Sequence, residues 1–396
     1  MRANWERVRL REICRYDKNQ GTHDGLKYVG LENIESGTGR ILSQSEQLDA
    51  KSATFSFSAK HVLYGRLRPY LKKVALPSGA GRCSTEIFPI LPSERLVREY
   101  LAYWLLSDKT TLDINATCTG ARMPRADMEE VLDFDFHLPP VAEQRRIVAA
   151  LDKAFAGIAT AKANAERNLK LAGELINQGY RHIAEGQGRR HWERLRVADV
   201  AAAKKGSIRT GPFGSQLLHS EFVDAGIAVL GIDNAVNNEF QWGKRRYVTP
   251  AKFEQLARYR VYPGDVLITI MGTCGRCAVV PDNIPVAINT KHLCCISLDN
   301  NKCLPSFLHT YFLYDPSARE YLQQQAKGSV MDGLNMGLII DLPLLLPPVE
   351  VQQAVVDNFR ALREGINLFI EAQSSKLTAL DALKQSLLTE AFAGKL

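Results

Sequence analysis

The sequence LPPV at Leu138–Val141, with the residues that follow it, decides the fold of this 396-residue chain. The same four residues return at Leu346–Val349, 208 positions later, and the match continues without a gap to the last residue. Gln144, for example, matches Gln352 at this spacing. A repeat of this length indicates one module that occurs twice.

The globular parts that precede each LPPV repeat more loosely. Trp5–Leu10 returns at Trp192–Val197 with a spacing of 187, and Gly30–Asn33 resembles Gly231–Asn234 at a spacing of 201. The rise from 187 to 208 means that insertions accumulated in the second globular part. We therefore expect two heads that share a scaffold and differ in detail, on a spacer of fixed size.

The segments after LPPV are predicted to be long helices. Apolar residues there step mainly by three and four for roughly forty residues, which is the period of a helix stripe and suggests a coiled-coil seam. The first stripe runs from Ile147 to Ile183, and the second includes Val355, Phe359, Phe369 and Leu383. Antiparallel packing of the two helices, each about 60 Å long, is the preferred interpretation. Packing of each helix on its own head, or dimerisation through the helices, remains an alternative.

The composition is that of an ordinary globular protein, with 45% hydrophobic and 23% charged residues. A formal charge of +7 is compatible with a polyanionic partner but does not identify one. The charged beginning lacks the apolar stretch of a signal peptide, and Asp341 and three prolines interrupt the longest apolar run. Together with eight irregularly spaced cysteines, these features predict a cytoplasmic protein without a membrane segment.

Two segments of the globular parts are basic. Gly65–Lys73 carries four cations after a predicted strand, and Lys204–Gln216 combines cations, glycines and hydroxyl groups. Arginine can bond two guanine atoms at once, lysine pairs with phosphates, and glycine lets backbone amides approach a ligand. The alternatives are a solvated basic edge for the first segment and a plain glycine turn for the second.

Signatures of catalysis are missing from the sequence. It contains no Walker motif, HExxH, GxSxG or glycine-rich cofactor loop, and Asp315-Pro-Ser lacks the rest of an adenine-methyltransferase motif. Cys274 and Cys277 form a lone CxxC near three further cysteine and histidine residues, His292, Cys294 and Cys295. A zinc site or a redox pair is conceivable there, but packed cysteines beside a turn are favoured. We expect neither catalytic residues nor a metal site in this chain.

The combination of motifs resembles the specificity subunit of type I restriction–modification systems over essentially the whole length. The resemblance rests on the doubled LPPV segments, on Gly65–Leu71, on Gly211–Gln216, and on Gly264–Ile268 leading into Gly272–Arg276. One departure is Val351, where the first copy has Glu143.

The resemblance implies an α+β fold: two mixed α/β target recognition domains, joined and separated by two long antiparallel helices with a pseudo-two-fold repeat. It also implies that each domain reads half of a split sequence in double-stranded DNA. The helices would bind two modification subunits that carry S-adenosylmethionine, and restriction subunits that use ATP and magnesium would join them. No cofactor is expected in the chain itself. A coiled-coil scaffold or an unrecognised nuclease is the competing interpretation.

The sequence thus predicts recognition domains at residues 1–137 and 187–345, with spacer helices at 138–186 and 346–396. The candidate DNA-binding residues of the first domain are Arg66, Arg68, Lys72, Lys73, Arg122 and Arg125. Those of the second domain are Lys205, Arg209, Ser215, Gln216, Arg276 and Lys291.

Overall fold

A computed structural model describes residues 5–23, 25–43, 53–120, 122–326 and 334–396. The chain divides into two compact units. Unit 1 consists of Met1–Arg167 and Gln373–Leu396, and unit 2 consists of Asn168–Ala372. We call the globular part of unit 1 that precedes the first long helix head 1, and the globular part of unit 2 that precedes the second long helix head 2.

The elements follow the repeat. The first copy contains β1 (Glu6–Arg9), β2 (Cys14–Tyr16), β3 (Gln20–Gly21), β4 (Tyr28–Val29), β5 (Thr54–Phe57), β6 (Val62–Gly65), β7 (Val74–Ala75), β8 (Gly81–Ser84), β9 (Ile87–Pro92), α1 (Arg98–Leu106), α2 (Asp108–Ala116), α3 (Met128–Leu132), β10 (Asp135–Leu138) and α4 (Val141–Gly186). The second contains β11 (Glu193–Arg196), β12 (Ile208–Thr210), β13 (Ile227–Leu230), β14 (Tyr247–Val248), α5 (Pro250–Leu256), β15 (Arg260–Val261), β16 (Val266–Thr269), β17 (Cys277–Val279), β18 (Ala287–Asn289), β19 (Leu293–Ile296), α6 (Pro305–Tyr314), α7 (Pro316–Ala326), α8 (Met336–Ile340), β20 (Pro343–Leu346) and α9 (Val349–Phe392).

A short antiparallel strand pair closes each head. In head 1, β1 pairs with β10 and brings Glu6 opposite Leu138. In head 2, β11 pairs with β20 and brings Glu193 opposite Leu346. The repeated Trp-Glu-Arg segment therefore leads into the strand that pairs with the residues before each pair of prolines.

Each head contains two four-stranded sheets. One sheet has the order β2-β9-β6-β7 in head 1 and β12-β19-β16-β17 in head 2, so its strands correspond one to one. The other sheet shares three strands, β4-β8-β5 in head 1 and β13-β18-β15 in head 2, with one parallel and one antiparallel pair in each case. The fourth strand differs: β3 extends the β5 edge, whereas β14 extends the β13 edge, which is the opposite side. The heads thus share a scaffold and differ in how one sheet is completed.

A buried glutamine joins each head to the long helix that follows it. The Gln144 amide nitrogen donates to the carbonyls of Arg95 and Pro139, both at 2.8 Å, and its oxygen accepts from Val97 N at 2.7 Å. Its side chain is fully buried. The polar atoms of this glutamine therefore satisfy backbone groups that the joint removes from water.

Gln352 makes the same three contacts in unit 2. It donates to the carbonyls of Lys302 and Pro347 and accepts from Leu304 N, each at 2.8 Å. The glutamine of the repeated motif is thus a structural joint, which explains its place three residues after the LPPV motif.

The two long helices lie antiparallel where they meet inside each unit. In unit 1, Lys162 of α4 is ion-paired with Asp381 of α9, and earlier in α4 Phe155 lies under the Lys384 ammonium of α9 at 5.1 Å. In unit 2, the rings of Tyr180 and Phe359 meet edge to face at 5.5 Å. Residue numbers rise along α4 as they fall along α9, so the predicted antiparallel pairing is confirmed.

The last turns of each long helix pack into the core of the unit whose head does not directly precede that helix. Leu388 and Ala391, near the end of α9, are fully buried in the core of unit 1. Tyr180 and Ala184, near the end of α4, are fully buried in the core of unit 2. Each head is therefore covered by the beginning of its own helix and by the end of the other one.

The predicted apolar stripe of α9 is wrong at two positions. Phe369 and Leu383 are 42% and 47% exposed, although the period places them on the packed face. Beside Leu383, the half-buried Lys384 faces inward and donates from Nζ to the Gly37 carbonyl at 2.6 Å. A long amphipathic stem can cover apolar surface while its ammonium reaches an acceptor, and a hydrophobic pattern does not detect this.

The fold class predicted from the sequence is confirmed, because the heads are mixed α and β, the repeat is visible in both, and long helices follow them. Among the described helices, none combines the length and the apolar character that a membrane span needs.

Candidate nucleic-acid interface

A hairpin loop connects the corresponding pair of strands in each head. Hairpin 1 (residues 66–73) connects β6 to β7, and hairpin 2 (residues 270–276) connects β16 to β17. A Cβ atom on Gly65 would lie 2.6 Å from Leu31, and one on Gly272 would lie 3.0 Å from Ile232. Each loop therefore packs closely on the turn that follows Gly30 or Gly231.

That turn is built in the same way in both heads. Gly30 N donates to Asn33 Oδ1 at 2.8 Å, and Gly231 N donates to Asn234 Oδ1 at 2.8 Å. The repeated Gly-x-x-Asn pattern thus forms a single turn of 3-10 helix in each head. It provides a fixed support for the hairpins.

In head 1 a second segment lies along hairpin 1. Arg68 N donates to the Pro124 carbonyl at 2.8 Å, and Ala126 N donates to the Arg66 carbonyl at 3.0 Å. Leu67 forms an isolated antiparallel bridge with Arg125. This pairing brings four of the predicted residues, Arg66, Arg68, Arg122 and Arg125, to one end of head 1. The corresponding positions of the second copy, 327–333, lie outside the described residues.

Arg68 and Arg122 are exposed at this end. Among the described residues, no ion pair or side-chain hydrogen bond engages either guanidinium group. Tyr70 and Met123 beside them are 55% and 45% exposed. Unpaired cations next to exposed aromatic and apolar side chains are the composition expected of a nucleic-acid contact surface.

Lys72 and Lys73 have partners within the head. Lys72 is ion-paired with Asp108, and the Lys73 ammonium donates to the Ile34 carbonyl. Arg68 and Lys72 both adopt left-handed backbone conformations, with φ of 54° and 47°, on either side of a single 3-10 turn. Such conformations cost about 1 kcal/mol each for residues with a side chain, so the surrounding contacts hold the loop in a defined shape.

Arg66 and Arg125 share one carboxylate. The Arg66 Nε lies 3.1 Å from Glu86 Oε2, and the Arg125 Nε lies 2.9 Å from Glu86 Oε1. Glu86 was not among the predicted residues. A chain separation of 20 and 39 positions left no local pattern by which it could have been found.

Hairpin 2 carries the exposed Arg276. Ile270 N donates to the His292 carbonyl at 2.9 Å, which places the half-buried Lys291 and His292 beside this loop. The pKa of His292 is lowered by partial burial and by the charges of Lys291 and Arg246.

A cavity of about 510 Å³ adjoins hairpin 2. Its lining includes Phe222, Ile232, Asp233, Arg246, Thr290 and His292. Arg246 Nη1 is ion-paired with Asp233 Oδ1 at 3.1 Å. The cavity therefore combines apolar walls with an ion pair.

The remaining predicted residues of head 2 lie in the glycine-rich segment and its surroundings. Lys205 and Ser215 are exposed, and Gln216 Oε1 accepts from the Tyr259 hydroxyl at 2.9 Å. Arg209 is only 8% exposed and is ion-paired at 2.6 Å with Asp265, which is 2% exposed. The Arg209 side chain therefore supports the fold of head 2, and its contact with DNA stays a prediction.

A cluster of cations on aromatic rings was missed by the sequence analysis. Arg258 lies over Tyr259 at 4.7 Å, and Lys204 and Arg260 lie over Tyr262 at 4.5 and 5.1 Å. The alternation of arginine and aromatic residues at positions 258–262 was the available signal. Stacked cations of this kind form part of many nucleic-acid surfaces.

The cysteines near hairpin 2 are free thiols. Burial raises the pKa of Cys294 to about 12 and raises that of Cys277 as well. A thiol with a raised pKa is a poor nucleophile. Within the described ranges, no group of three or more histidine, cysteine or acidic residues is arranged to hold a metal ion.

Duplicated α+β heads, each with an exposed arginine on the equivalent hairpin and each followed by a long helix, define a class of two-headed proteins. The family model for the type I restriction modification DNA specificity domain matches residues 2–169 and again residues 190–379. The chain belongs to this family.

Curated relatives and solved structures agree with that assignment. The chain is 25% identical over 158 residues to the specificity subunit of type I restriction enzyme EcoDI and 25% identical over 300 residues to that of EcoBI, both from Escherichia coli. These matches cover 39% and 72% of this chain and span 35% and 63% of the relatives' length. The specificity subunit of StySPI from Salmonella potsdam is 23% identical over 331 residues, which are 77% of this chain and 67% of that one.

Two solved structures have the same fold over the full length of the chain. One comes from work on complex assembly and conformational transition of the type I R-M system, with a TM-score of 0.81, 21% identity, and coverage of 100% of this chain and 99% of that chain. The other is the HsdS subunit from Thermoanaerobacter tengcongensis, with a TM-score of 0.64, 22% identity, and coverage of 100% and 98%.

Proposed function

We propose that this chain is the DNA sequence-recognition subunit of a type I restriction–modification complex, and that each head reads half of a bipartite double-stranded target. The observation that carries the proposal is the doubled hairpin end. Arg68 and Arg122 at hairpin 1, and Arg276 at hairpin 2, are exposed at equivalent ends of two heads built on one scaffold. Cations and hydrogen-bonding side chains on a fixed loop can contact phosphates and base edges.

The differences between the heads favour two distinct half-sites. Hairpin 1 has Glu86 and Arg125 beside it, whereas hairpin 2 has Lys291 and His292. Two heads with the same scaffold and different loop chemistry would present different hydrogen-bonding patterns to DNA. A bipartite target with unlike halves follows from this.

The long helices are the proposed docking surface for two methyltransferase subunits, through which restriction subunits would join. Leu175 and Leu383 lie at equivalent positions of the repeat, 208 residues apart, and are 52% and 47% exposed. Because the two leucines are equivalent in the repeat, two identical partners could contact them in the same way. In this scheme the chain itself is non-catalytic and cytoplasmic, and S-adenosylmethionine, ATP and magnesium are bound by its partners.

The decisive experiment maps methylated adenines in DNA from cells that contain the partner subunits, with and without this chain. We expect one bipartite motif that depends on the chain. Replacing head 2 with the head of a relative should alter one half of the motif and leave the other half unchanged. A methylation pattern that ignores the chain would overturn the proposal, as would cleavage of DNA by the purified chain alone with magnesium.

A binding experiment tests the assigned surface. The change Arg68→Ala combined with Arg122→Ala should weaken binding of the complex to its target and reduce the dependence of the affinity on salt, because fewer counterions are released. Arg15→Ala is the matched control, since Arg15 is an exposed arginine on β2 of the same head. Equal binding by both variants would remove Arg68 and Arg122 from the interface.

A further inference from the structure

Two arginines of head 1 bind the same carboxylate, each through its own Nε atom. Arg66 Nε lies 3.1 Å from Glu86 Oε2, and Arg125 Nε lies 2.9 Å and 3.1 Å from the two Glu86 oxygens. A guanidinium group bound through Nε keeps its terminal Nη nitrogens for other acceptors. Among the described residues, no hydrogen bond from an Nη atom of Arg66 or Arg125 is present.

The backbone around this trio is fixed. Arg66 N donates to the Glu86 carbonyl at 2.9 Å. Arg125 exchanges two backbone hydrogen bonds of 3.1 Å with Thr119. The three side chains therefore project from adjacent, hydrogen-bonded segments rather than from free loops.

An aromatic stack supports the Arg66 guanidinium. It lies over the Phe88 ring at 5.2 Å, and Phe88 is in turn stacked on Tyr16 at 4.9 Å with an angle of 21° between the planes. Stacking and the Glu86 contact together restrict the orientation of the guanidinium plane. A group that is oriented before binding loses less conformational entropy when it binds.

The trio is accessible and carries a net positive charge. The side chains of Arg66, Arg125 and Glu86 are 33%, 39% and 22% exposed. Two guanidinium groups and one carboxylate leave one positive charge and two sets of free Nη donors. Glu86 offsets half of the positive charge that would attract a phosphate, whereas a neutral base edge with two acceptors needs only the free Nη donors.

We propose that Arg66 and Arg125 read guanine in the major groove, with Glu86 as the positioning residue. This inference rests on the proposed function of DNA recognition. Guanine presents the O6 and N7 acceptors that fit a guanidinium fork, whereas adenine presents a donor beside N7. Because one carboxylate binds both guanidinium groups, the two groups reach the same base pair or neighbouring base pairs. The half-site of head 1 therefore contains guanine at one or two adjacent base pairs.

The first test compares methylation motifs in cells that contain the partner subunits and either wild-type protein or one of four variants. R66K and R125K keep the charge but lose the fork, and E86Q keeps the shape but weakens the grip on Nε. Each should lower the discrimination against other bases at the guanine positions, on the order of 10-fold for the lysine variants. The other half of the motif should not change. R15K, the matched control in the same head, should leave both halves unchanged.

The second test uses the purified complex of wild-type chain and partners with chemically altered DNA. Replacing the relevant guanine with 7-deazaguanine removes N7 and should weaken binding, whereas inosine keeps O6 and N7 and should bind as guanine does. The R66K R125K double variant should lose sensitivity to 7-deazaguanine. The wild-type comparison decides the question even if a variant fails to fold.

The inference is overturned if the head 1 half-motif contains no G·C pair, if 7-deazaguanine binds as well as guanine, or if folded lysine variants keep full discrimination. These results leave the proposed function intact, since the motif would still depend on the chain. A motif that does not depend on the chain at all would instead contradict the proposed function.

Discussion

The two heads place one basic and one acidic side chain in contact at the same position, with the two types exchanged. In head 1, His61 lies 3.3 Å from Asp17, with the histidine before β6 and the carboxylate after β2. In head 2, Asp265 lies before β16 and pairs with Arg209 on β12 at 2.6 Å. The acid and the base have exchanged strands between the copies.

Strand register establishes that these positions are equivalent. The central strand of each sheet pairs one residue with both neighbouring strands, in the registers Tyr16–Ile90–Val62 and Ile208–Ile296–Val266. The next residue after the first member is Asp17 or Arg209, and the residue before the last member is His61 or Asp265. Both heads thus place two complementary polar groups here, although a different strand supplies the acidic one.

The difference in burial should separate the heads most strongly. Arg209→Ala removes the positive charge that is paired with the 2% exposed Asp265, and we expect unit 2 to lose about 3–5 kcal/mol of unfolding free energy. His61→Ala in unit 1 should cost only about 1 kcal/mol, because Asp17 is 41% exposed and remains hydrated. Hydrogen exchange followed separately in the two units measures both values. Equal losses would show that burial does not decide the strength of this pair.

The glutamine joints should behave alike in the two copies. Gln144→Ala and Gln352→Ala each remove three buried or partly buried hydrogen bonds of the glutamine side chain, which had satisfied two carbonyls and one amide. We expect each change to cost its own unit about 2–3 kcal/mol. Urea unfolding of the two variants, monitored by hydrogen exchange, gives the values. A clear difference between them would mean that the joints are not equivalent.

Acid should destabilise unit 2 through His309, which has Ala102 as its counterpart in unit 1. Burial lowers the pKa of His309 from its usual 6.5, although backbone hydrogen bonds to the carbonyls of Asn238 and Cys277 partly oppose this. The unfolded chain therefore binds more protons than the folded chain as the pH falls below about 6.5, and stability present above that pH is lost.

His309→Gln keeps a donor for the two carbonyls and removes the titration. Melting curves at several pH values should show a flatter dependence for unit 2 of this variant and no change in unit 1. An unchanged slope in unit 2 would assign the acid sensitivity to another group.

The smallest effect is expected along the helices. Lys162→Ala removes the ion pair with Asp381, whose side chain is 67% exposed, and should cost less than about 0.5 kcal/mol. Lys153→Ala is the control, because Lys153 is exposed on the same helix. A thermal shift clearly larger than that of the control would show that this contact fixes the helix pair.

The sequence was most informative where structure depends on local period or on exact repetition. The repeat spacing of 208 residues and the helix period predict α4, α9 and their antiparallel pairing, because the apolar residues of a helix face recur at every turn. The Trp-Glu-Arg repeat also matched, since it forms the equivalent strands β1 and β11.

Features that depend on long-range contacts could not be predicted. Glu86 meets Arg66 because β6 pairs with β9, and it meets Arg125 because Arg125 forms a bridge with Leu67. The exchange of Asp17 and His61 for Arg209 and Asp265 appears as a mismatch in a sequence comparison, although it preserves the interaction. The glycine-rich surroundings of Arg209 predict a DNA contact, and no local pattern shows that its side chain is buried against Asp265.

The burial of Leu388 and Ala391 in the core of unit 1 has a consequence for the order in which the protein matures during translation. Unit 2 is continuous, so all of its residues are available once residue 372 has left the ribosome. Unit 1 is synthesised first but needs residues 373–396 to close its core. Head 1 is therefore synthesised first but completed last. The apolar surface of its core stays uncovered until residues 373–396 have been synthesised.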